Sequence, residues 1–239
     1  MTGPLQGQTV LVIGRASGIA RAVTVAARDA GAQVVAAGRD RRTLAAVYAG
    51  EPEITTETVD LTDEASIADL GRRLGPVGHV VSTASARARG RVADLDRDAI
   101  RRSFDTKVIG PLMLAKHLAP RMTGGGSFVL FSGVAAARIR VGTLGVAITN
   151  GAADVLARSL ALELAPIRVN AISPGVIDTG AWDALGKQGK ADYFADVSAR
   201  NPARRIGTAD DIANGVLFAM TSPFLTGVTL HIDGGEPLT

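Results

Sequence analysis

Short runs of apolar, mostly β-branched residues recur along the chain and predict strands. Several of these runs are apolar at consecutive positions rather than at alternate ones. Strands that are apolar on both faces are typical of a parallel sheet that is covered on both sides. The seven predicted strands are residues 9–13, 33–37, 55–59, 79–83, 127–132, 168–173 and 228–232.

Helical patterns separate the predicted strands. Apolar residues three and four positions apart form one face of a helix. The first such stripe stops at Gly31, and Thr208 followed by Asp211 predicts the capped start of a later helix. The four stripes are Ile19, Val23, Ala26, Ala27 and Ala30; Ile67, Leu70 and Leu74; Ile100, Phe104, Val108 and Leu112; and Ala152, Val155, Leu156 and Ser159.

The alternation of strands and helices predicts the fold class. It indicates a doubly wound, Rossmann-type α/β fold, with a seven-stranded parallel sheet and helices on both faces. No internal repeat, low-complexity segment or Pro/Gly/Ser linker divides the 239 residues. We therefore expect residues 1–239 to form a single domain.

One segment, residues 178–205, interrupts this rhythm. It mixes three glycines with Trp182, Tyr193 and Phe194. Aromatic residues in a glycine-rich stretch that follows a strand predict a mobile lid over a substrate pocket. The alternative is a surface excursion that packs its aromatic side chains on the core.

Composition narrows the possible classes of protein. With 46% hydrophobic and 21% charged residues and a mean hydropathy of +0.21, the chain has the balance of a globular domain. No apolar run approaches the roughly 20 residues of a membrane span, and no export signal precedes Gln8, so we expect a cytoplasmic protein. The absence of cysteine excludes disulfides and thiolate chemistry, and three scattered histidines make a metal site improbable.

The charge balance does not favour nucleic acid as a partner. The pI is near 9.7, but the formal net charge is only +3. The densest basic patch, Arg87, Arg89 and Arg91, has no aromatic neighbour on which a base could stack. We interpret this patch as a solvated surface loop.

A glycine-rich turn between the first strand and the first helix predicts a phosphate site. Glycines at a helix N-terminus let backbone N–H groups approach a pyrophosphate. The same spacing also occurs in ordinary tight turns, but its position after the first strand favours a dinucleotide. The candidate residues are Gly14, Arg15, Ser17, Gly18 and Ile19.

The end of the second strand indicates which dinucleotide binds. NAD sites usually carry a carboxylate there for the ribose 2′-hydroxyl, whereas this chain has Arg39. A guanidinium can pair bidentately with a 2′-phosphate, and Arg15 could reach the same group. We therefore predict NADP(H). The alternative is a charged helix start at Asp40, Arg41 and Arg42.

Several further segments carry a resemblance to a known family. Asp60-Leu61, residues 170–179, residues 226–235 and the helix pattern of residues 158–164 are similar to those of classical short-chain dehydrogenases/reductases. The likeness spans essentially the whole chain. It implies that Asp60 meets the adenine amino group, that Ala84 lines the adenosine site, and that Ile177 and Thr179 hold the nicotinamide carboxamide. The cofactor-binding residues that it implies are Asp60, Leu61, Ala84, Pro174, Gly175, Ile177 and Thr179.

The chain departs from this family at all four positions of its proton-handling group. The family's Asn, Ser, Tyr and Lys fall on Lys107, Gly133, Val146 and Asn150. Valine cannot donate a proton, and asparagine carries no charge. In the cofactor half, the family's Asn-Asn-Ala-Gly is replaced by residues 82–85, Ser-Thr-Ala-Ser, and the third glycine of the first loop by Ala20.

Three residues remain as catalytic candidates: Lys107, Ser132 and Asn150. The long stem of Lys107 could place an ammonium near the space left by the absent family lysine. The alternative is a helix-surface lysine whose partner is Asp105 or solvent. Ser132 lies one position from the expected serine, a shift that reverses the direction of a strand side chain. Asn150 could still reach the nicotinamide ribose.

Three functions follow as hypotheses. The first is an NADP(H)-dependent oxidoreductase that reduces a small-molecule substrate, an activated carbonyl, imine or enone, by a non-standard mechanism. The second is a catalytically inactive cofactor-binding homologue, a sensor or assembly subunit, and the third is a lyase or isomerase. The predicted lid favours an enzyme. The resemblance and the apolar helix of residues 152–164 imply a homotetramer or homodimer.

Overall fold

A computed structural model of the chain describes residues 3–239 and confirms the predicted fold class. Seven parallel strands form one sheet in the order β3-β2-β1-β4-β5-β6-β7. Every predicted strand is present, with ends that shift by a few residues. The strands are β1 Thr9–Ile13, β2 Gln33–Gly38, β3 Ile54–Thr58, β4 Val77–Ser82, β5 Met122–Phe131, β6 Arg168–Pro174 and β7 Thr229–Ile232.

The strand order creates a crevice at the carboxyl edge of the sheet. The chain runs outward from β1 to β3 and then returns to place β4 on the other side of β1. Loops that leave β1 and β4 therefore diverge to opposite faces, and doubly wound folds bind their ligands at such a point. The predicted phosphate loop and residues 82–85 both lie here.

Helices cover both faces of the sheet. Alternate residues of β1 belong to the two cores, with Val10 and Val12 facing one and Leu11 and Ile13 the other. The first core includes side chains of α1, α2 and α8, and the second includes those of α3, α5 and α6. The helices are α1 Gly18–Asp29, α2 Arg41–Val47, α3 Glu64–Arg73, α4 Arg97–Phe104, α5 Gly110–Leu118, α6 Leu144–Glu163, α7 Gly186–Arg200 and α8 Ala209–Thr221.

Two predicted helix faces are wrong. The apolar stripe through Ile100 and Leu112 does not face the core; the buried side of α4 and α5 carries Ser103 and Leu114 instead. A π-turn, Asp105–Ile109, joins these helices and turns Lys107 inward. On α6 the buried residues are likewise not those of the predicted stripe, and Val155 is 53% exposed.

The segment predicted as a lid contains a helix that the sequence pattern did not indicate. Residues Gly180–Leu185 form a short 3₁₀ helix, and α7 follows directly. The capped start of α8 is confirmed, because Thr208 and Asp211 form a reciprocal capping box. Within residues 3–239, no helix combines the length and the apolar character that a membrane crossing needs.

Candidate active site

The glycines of the loop between β1 and α1 lie against neighbouring side chains and leave little space for a side chain of their own. A Cβ on Gly14 would collide with the hydroxyl of Thr83, which donates a hydrogen bond of 2.9 Å to the Ile13 carbonyl. Gly18 has a φ of +56°, and a Cβ there would lie 3.3 Å from the side chain of Thr179. The loop therefore brings the start of α1 next to the segment that follows β6.

The first turn of α1 is built to accept an anion. Its N-cap, Ser17, makes no side-chain capping hydrogen bond, and no acidic residue occupies the first turn. The first backbone N–H groups of a helix have no partner within the helix, and they carry the positive end of its dipole. This arrangement fits the pyrophosphate of a dinucleotide.

The predicted adenosine side of the site combines Arg39 with Asp60. The Asp60 carboxylate accepts hydrogen bonds from the backbone N–H and the hydroxyl of Thr62, at 2.9 and 2.8 Å. These bonds, with the nearby charge of Arg39, lower the pKa of Asp60. Among residues 3–239, neither Arg39 nor Arg15 makes a salt bridge, so both guanidinium groups can meet a phosphate. These donors fit NADP(H).

The segment after β6 places the other predicted cofactor residues. Gly175 lies against Asp233, whose Cα would be 2.7 Å from a Cβ at that position. The Ile177 carbonyl accepts a hydrogen bond of 2.9 Å from the indole of Trp182. This carbonyl keeps a second lone pair for another donor. Thr179 caps the 3₁₀ helix through its hydroxyl, which accepts from the Ala181 N–H.

The three catalytic candidates lie together at the carboxyl end of β5. Lys107 is only 8% exposed, and its ammonium donates to the Ser132 carbonyl at 2.9 Å and to the side-chain oxygen of Asn150. The Asn150 amide donates in turn to the Gly133 carbonyl at 3.1 Å. The alternative in which Lys107 pairs with Asp105 or solvent is therefore wrong.

The environment of Lys107 makes its charge costly. Burial, and to a smaller extent the positive charge of Arg87, lower the pKa of its ammonium to about 7, whereas the charge of Asp154 opposes the shift. An amine whose pKa lies near 7 is present in both protonation states near neutral pH. Such an amine can give and take a proton under physiological conditions.

Ser132 contributes its backbone rather than its side chain. Its hydroxyl donates to the Asn150 carbonyl at 3.1 Å, and its own carbonyl accepts from Lys107. The family's serine position is Gly133, where a Cβ would lie 2.8 Å from the Asn150 amide nitrogen. Asn150 thus occupies space that a serine at position 133 would need.

The loop after β4, the loop before α6 and the predicted lid are joined by contacts that the sequence did not predict. Arg89 lies 5.9 Å from the ring centroid of Trp182, which itself packs on Tyr193 at 4.8 Å between centroids. The buried carboxylate of Glu236 pairs with Arg138 and Arg140 at 3.5 and 3.3 Å, and so fixes the C-terminal segment to this face. The sequence indicated the aromatic residues, and it named Arg89 only as part of a basic surface patch without an aromatic neighbour, which its contact with Trp182 corrects.

Comparison with known proteins decides the family. A family model described as Enoyl-(Acyl carrier protein) reductase matches residues 14–236. The 2-keto-3-deoxy-L-fuconate dehydrogenase of Xanthomonas campestris pv. campestris is 34% identical over 97% of this chain and 80% of that protein. The chain belongs to the short-chain dehydrogenase/reductase family.

Solved structures of other short-chain dehydrogenases/reductases share the whole fold. The MalC reductase/Diels-Alderase from Malbranchea aurantiaca superposes with a TM-score of 0.92 at 27% identity, over 100% of this chain and 99% of that one. A small-chain dehydrogenase in complex with NADPH has a TM-score of 0.83 at 29% identity, over 97% of this chain and 99% of that one. The chain is therefore a member of a family of oxidoreductases that use a nicotinamide cofactor.

Lys107 and Asn150 form a pair at the carboxyl end of β5. The family resemblance described above implies an asparagine at position 107 and a lysine at position 150. The two side chains are hydrogen-bonded to each other in this protein. On the assignment that the resemblance implies, the chain would keep one ammonium and one amide, with the two groups carried by exchanged positions.

Proposed function

We propose that this short-chain dehydrogenase/reductase is an NADP(H)-dependent oxidoreductase that reduces an activated carbonyl, imine or enone, with Lys107 as the proton donor. The bound nicotinamide supplies the hydride. The observation that carries the proposal is the buried ammonium of Lys107, held beside Asn150 at the carboxyl edge of the sheet. A protein that only bound the cofactor would gain nothing from the cost of burying this amine.

The hydrogen bonds of Lys107 leave one proton to give. An ammonium has three N–H donors, and two of them are directed at the Ser132 carbonyl and the Asn150 side chain. The third has no acceptor in the described part of the chain. As hydride reaches the substrate carbon, this N–H transfers its proton to the developing oxygen or nitrogen anion, and the neutral amine that remains suits its buried surroundings.

Asn150 and the backbone of Ser132 position this amine. They fix two of its three N–H directions, and Asn150 is itself held by the Gly133 carbonyl. Since Val146 cannot donate a proton, the substrate must either be readily reduced or receive its proton from Lys107. This requirement favours imines and conjugated carbonyls over simple ketones.

The choice of NADP(H) rests on Arg39 and Arg15. Neither guanidinium group makes a salt bridge within residues 3–239, and Arg39 follows β2 at the position where NAD sites usually carry a carboxylate. We expect the 2′-phosphate to bind there. Asp60, Leu61 and Ala84 would line the adenosine, as the family resemblance implies.

A direct experiment separates this function from an inactive cofactor-binding protein. NADPH fluorescence is followed in single-turnover mixtures with cyclic imines, enones and ketones, for the wild type and for Lys107→Met. Oxidation by the wild type that the variant loses supports the proposal. Tight NADPH binding without oxidation of any of these classes would instead favour the inactive homologue, for which the valine at position 146 is the main argument.

We also propose self-association as a homodimer or homotetramer. Leu112 on α5 is 39% exposed, and Val155 and Leu162 on α6 are 53% and 83% exposed. Apolar side chains on the outer faces of two adjoining helices favour burial against another copy. Sedimentation equilibrium tests this, and Leu162→Asp should shift the equilibrium toward the monomer.

A further inference from the structure

A cavity lies at the amino edge of the sheet, at the opposite end of the strands from the candidate active site. Its volume is about 240 Å³. Two polar residues of the sheet line it, Arg168 and His79, although they are only 7% and 2% exposed. Its apolar walls are formed by Leu5, Met220, Pro4 and Pro223.

A row of polar side chains crosses the sheet at this edge. His79 of β4 is aligned with Ser127 of β5, and Ser127 is aligned with Arg168 of β6. Aligned residues of parallel strands point to the same face of a sheet, here the face of Val10, which α1 and α8 cover. Three polar side chains therefore enter the first core side by side, and two of them line the cavity.

The guanidinium of Arg168 is held at the end of α8 but its charge is only partly offset. Its Nη1 donates to the carbonyls of Ala219 and Leu225 at 2.7 and 3.3 Å, and its Nη2 donates to the Met220 carbonyl at 2.6 Å. Carbonyls at the end of a helix carry about half a negative charge. Arg168 makes no salt bridge within residues 3–239.

Two of the five N–H groups of Arg168 remain without an acceptor in the described part of the chain, the one on Nε and one on Nη2. A buried cation is costly unless it is paired with an anion and its hydrogen-bonding capacity is used. Two N–H groups on neighbouring nitrogens of one guanidinium can bind a carboxylate through two parallel hydrogen bonds. The cavity therefore has the donors of a carboxylate site.

His79 limits the charge of the anion that this cavity can take. Burial, and to a smaller extent the charge of Arg168, lower the pKa of His79 to about 4, so its imidazole is neutral at neutral pH. Arg168 is then the one charged residue in the cavity lining. The Nδ1 atom of His79 lies 2.8 Å from the Ser127 hydroxyl, and its Nε2 has no hydrogen-bond partner among residues 3–239. If the hydroxyl donates to Nδ1, Nε2 carries the hydrogen and can donate it to a ligand.

We propose that this cavity binds a small monocarboxylate with an apolar body, whose carboxylate pairs with Arg168 and His79 and whose body packs on Leu5 and Met220. One positive charge matches one carboxylate better than a doubly charged phosphate. A cavity of about 150 Å³ can hold benzene, so this one has room for an aromatic or branched aliphatic acid. The inference concerns a second site and does not depend on the proposed reductase function.

Calorimetric titration with three probes tests the charge and the apolar body separately. Benzoate has both, benzamide keeps the ring without the charge, and acetate keeps the charge without the ring. We expect benzoate to bind about 10-fold more tightly than either of the others, because each lacks one set of contacts. The affinities should be the same with and without NADPH, since the two sites lie at opposite edges of the sheet.

Substitutions then locate the bound acid. Arg168→Met should abolish the preference for benzoate over benzamide. The matched control is Arg121→Met, which removes an exposed guanidinium just before β5 at the same edge and should leave the preference intact. Thermal unfolding checks that each variant is folded.

A second variant decides the matter if Arg168→Met does not fold. Thr221 is an exposed residue of the cavity wall, so Thr221→Trp should fill the opening and prevent benzoate from binding, whereas Thr221→Ser should not. Equal affinity of the wild type for benzoate and benzamide, including no binding of either, overturns the inference. So does unchanged benzoate binding in Thr221→Trp, because the acid would then lie elsewhere. Equal affinity for acetate and benzoate overturns the apolar body and with it the proposed ligand class.

Discussion

The two sides of the crevice at the carboxyl edge of the sheet use different parts of the chain. On the cofactor side, Gly14, Gly18 and the N-terminus of α1 present backbone, and the family pattern is largely kept. On the catalytic side, the chemistry depends on side chains, and the resemblance implies a different residue at all four positions of the proton-handling group. Phosphate recognition requires backbone at one place, whereas proton transfer requires only that a suitable group reaches one point from any neighbouring element.

Lys107 illustrates this difference. Its stem starts from the π-turn between α4 and α5, yet its ammonium reaches Asn150 on α6, where the family's lysine would begin. The chain can therefore exchange the carriers of the ammonium and the amide while it retains both groups. A glycine of the phosphate loop cannot be exchanged in this way, because its function is to lack a side chain at that position, and no residue elsewhere can supply that space.

The largest effect should come from removal of the amine. Lys107→Met keeps the length of the side chain and removes the proton donor, so kcat/KM for reduction should fall by about 10²-fold or more. NADPH affinity should change by less than about twofold, because the cofactor loops are separate from this residue. Lys116→Met, which removes an exposed lysine paired with Glu64 on the same side of the sheet, is the control. Equal losses in kcat/KM for both variants would contradict a role for Lys107.

A cycle of substitutions tests the exchanged pair. Asn150→Lys alone places a second ammonium beside the first in a buried site, and should lower the free energy of unfolding by about 3 kcal/mol. Lys107→Asn combined with Asn150→Lys restores the family arrangement and should recover most of that loss. Urea unfolding of the four proteins gives the coupling energy. Additive effects would show that the two positions do not substitute for each other.

Arg39 provides the matching test on the cofactor side. Arg39→Ala should weaken NADPH binding by about 10-fold to 100-fold, since a charge-assisted pair with the 2′-phosphate is lost. NADH, which lacks that phosphate, should bind the wild type and the variant about equally. Fluorescence titrations with both dinucleotides measure this, and Arg41→Ala on the adjacent helix is the control. A parallel loss for NADH would place Arg39 outside the phosphate site.

The pKa of Lys107 predicts a pH dependence of stability with a definite sign. The unfolded chain binds this proton up to the ordinary lysine pKa, whereas the folded protein releases it near pH 7. Between these values the unfolded state holds more protons, so this group makes the folded protein more stable as the pH rises, by at most about 1.4 kcal/mol per pH unit. The difference in unfolding free energy between wild type and Lys107→Met, measured from neutral to alkaline pH, should change with this sign.

The same pKa also predicts the pH profile of reduction. The proton donor is present below pH 7 and lost above it, so kcat/KM should decline as the pH rises through the pKa. A flat profile from acid to alkaline pH would exclude Lys107 as the donor.

The sequence predicted the sheet well for a physical reason. The inner strands are buried on both faces, so their apolar runs are continuous and are visible without knowledge of their neighbours, as in β2 and β4. The helix faces were harder to predict, because α5 and α6 carry apolar residues on more than one side. A single sequence does not show which apolar side meets the sheet and which remains exposed.

The burial of Lys107 also lay beyond what the sequence could show. Its partners Ser132 and Asn150 are 25 and 43 residues away along the chain, and the π-turn that aims it inward has no strong local signal. Helix α7 was missed because Gly186 and Gly189 suggested a loop. The sequence did predict that the stem of Lys107 could place an ammonium near the space left by the family's lysine, but not which groups would hold that ammonium.

The smallest expected effect on kcat/KM comes from a substitution at Tyr193, which tests whether the proton comes from Lys107 or from the predicted lid. Burial raises the pKa of Tyr193, so its hydroxyl stays protonated at neutral pH, but that hydroxyl has no hydrogen-bond partner within residues 3–239, and its ring packs on Trp182. If Tyr193 is only a wall of the substrate pocket, Tyr193→Phe should change kcat/KM by less than about threefold. Tyr193→Ala, which removes the ring, should raise KM more than it lowers kcat. A large loss in kcat for Tyr193→Phe would identify the lid as the source of the proton, and Lys107 would then act only as a fixed charge that orients Asn150.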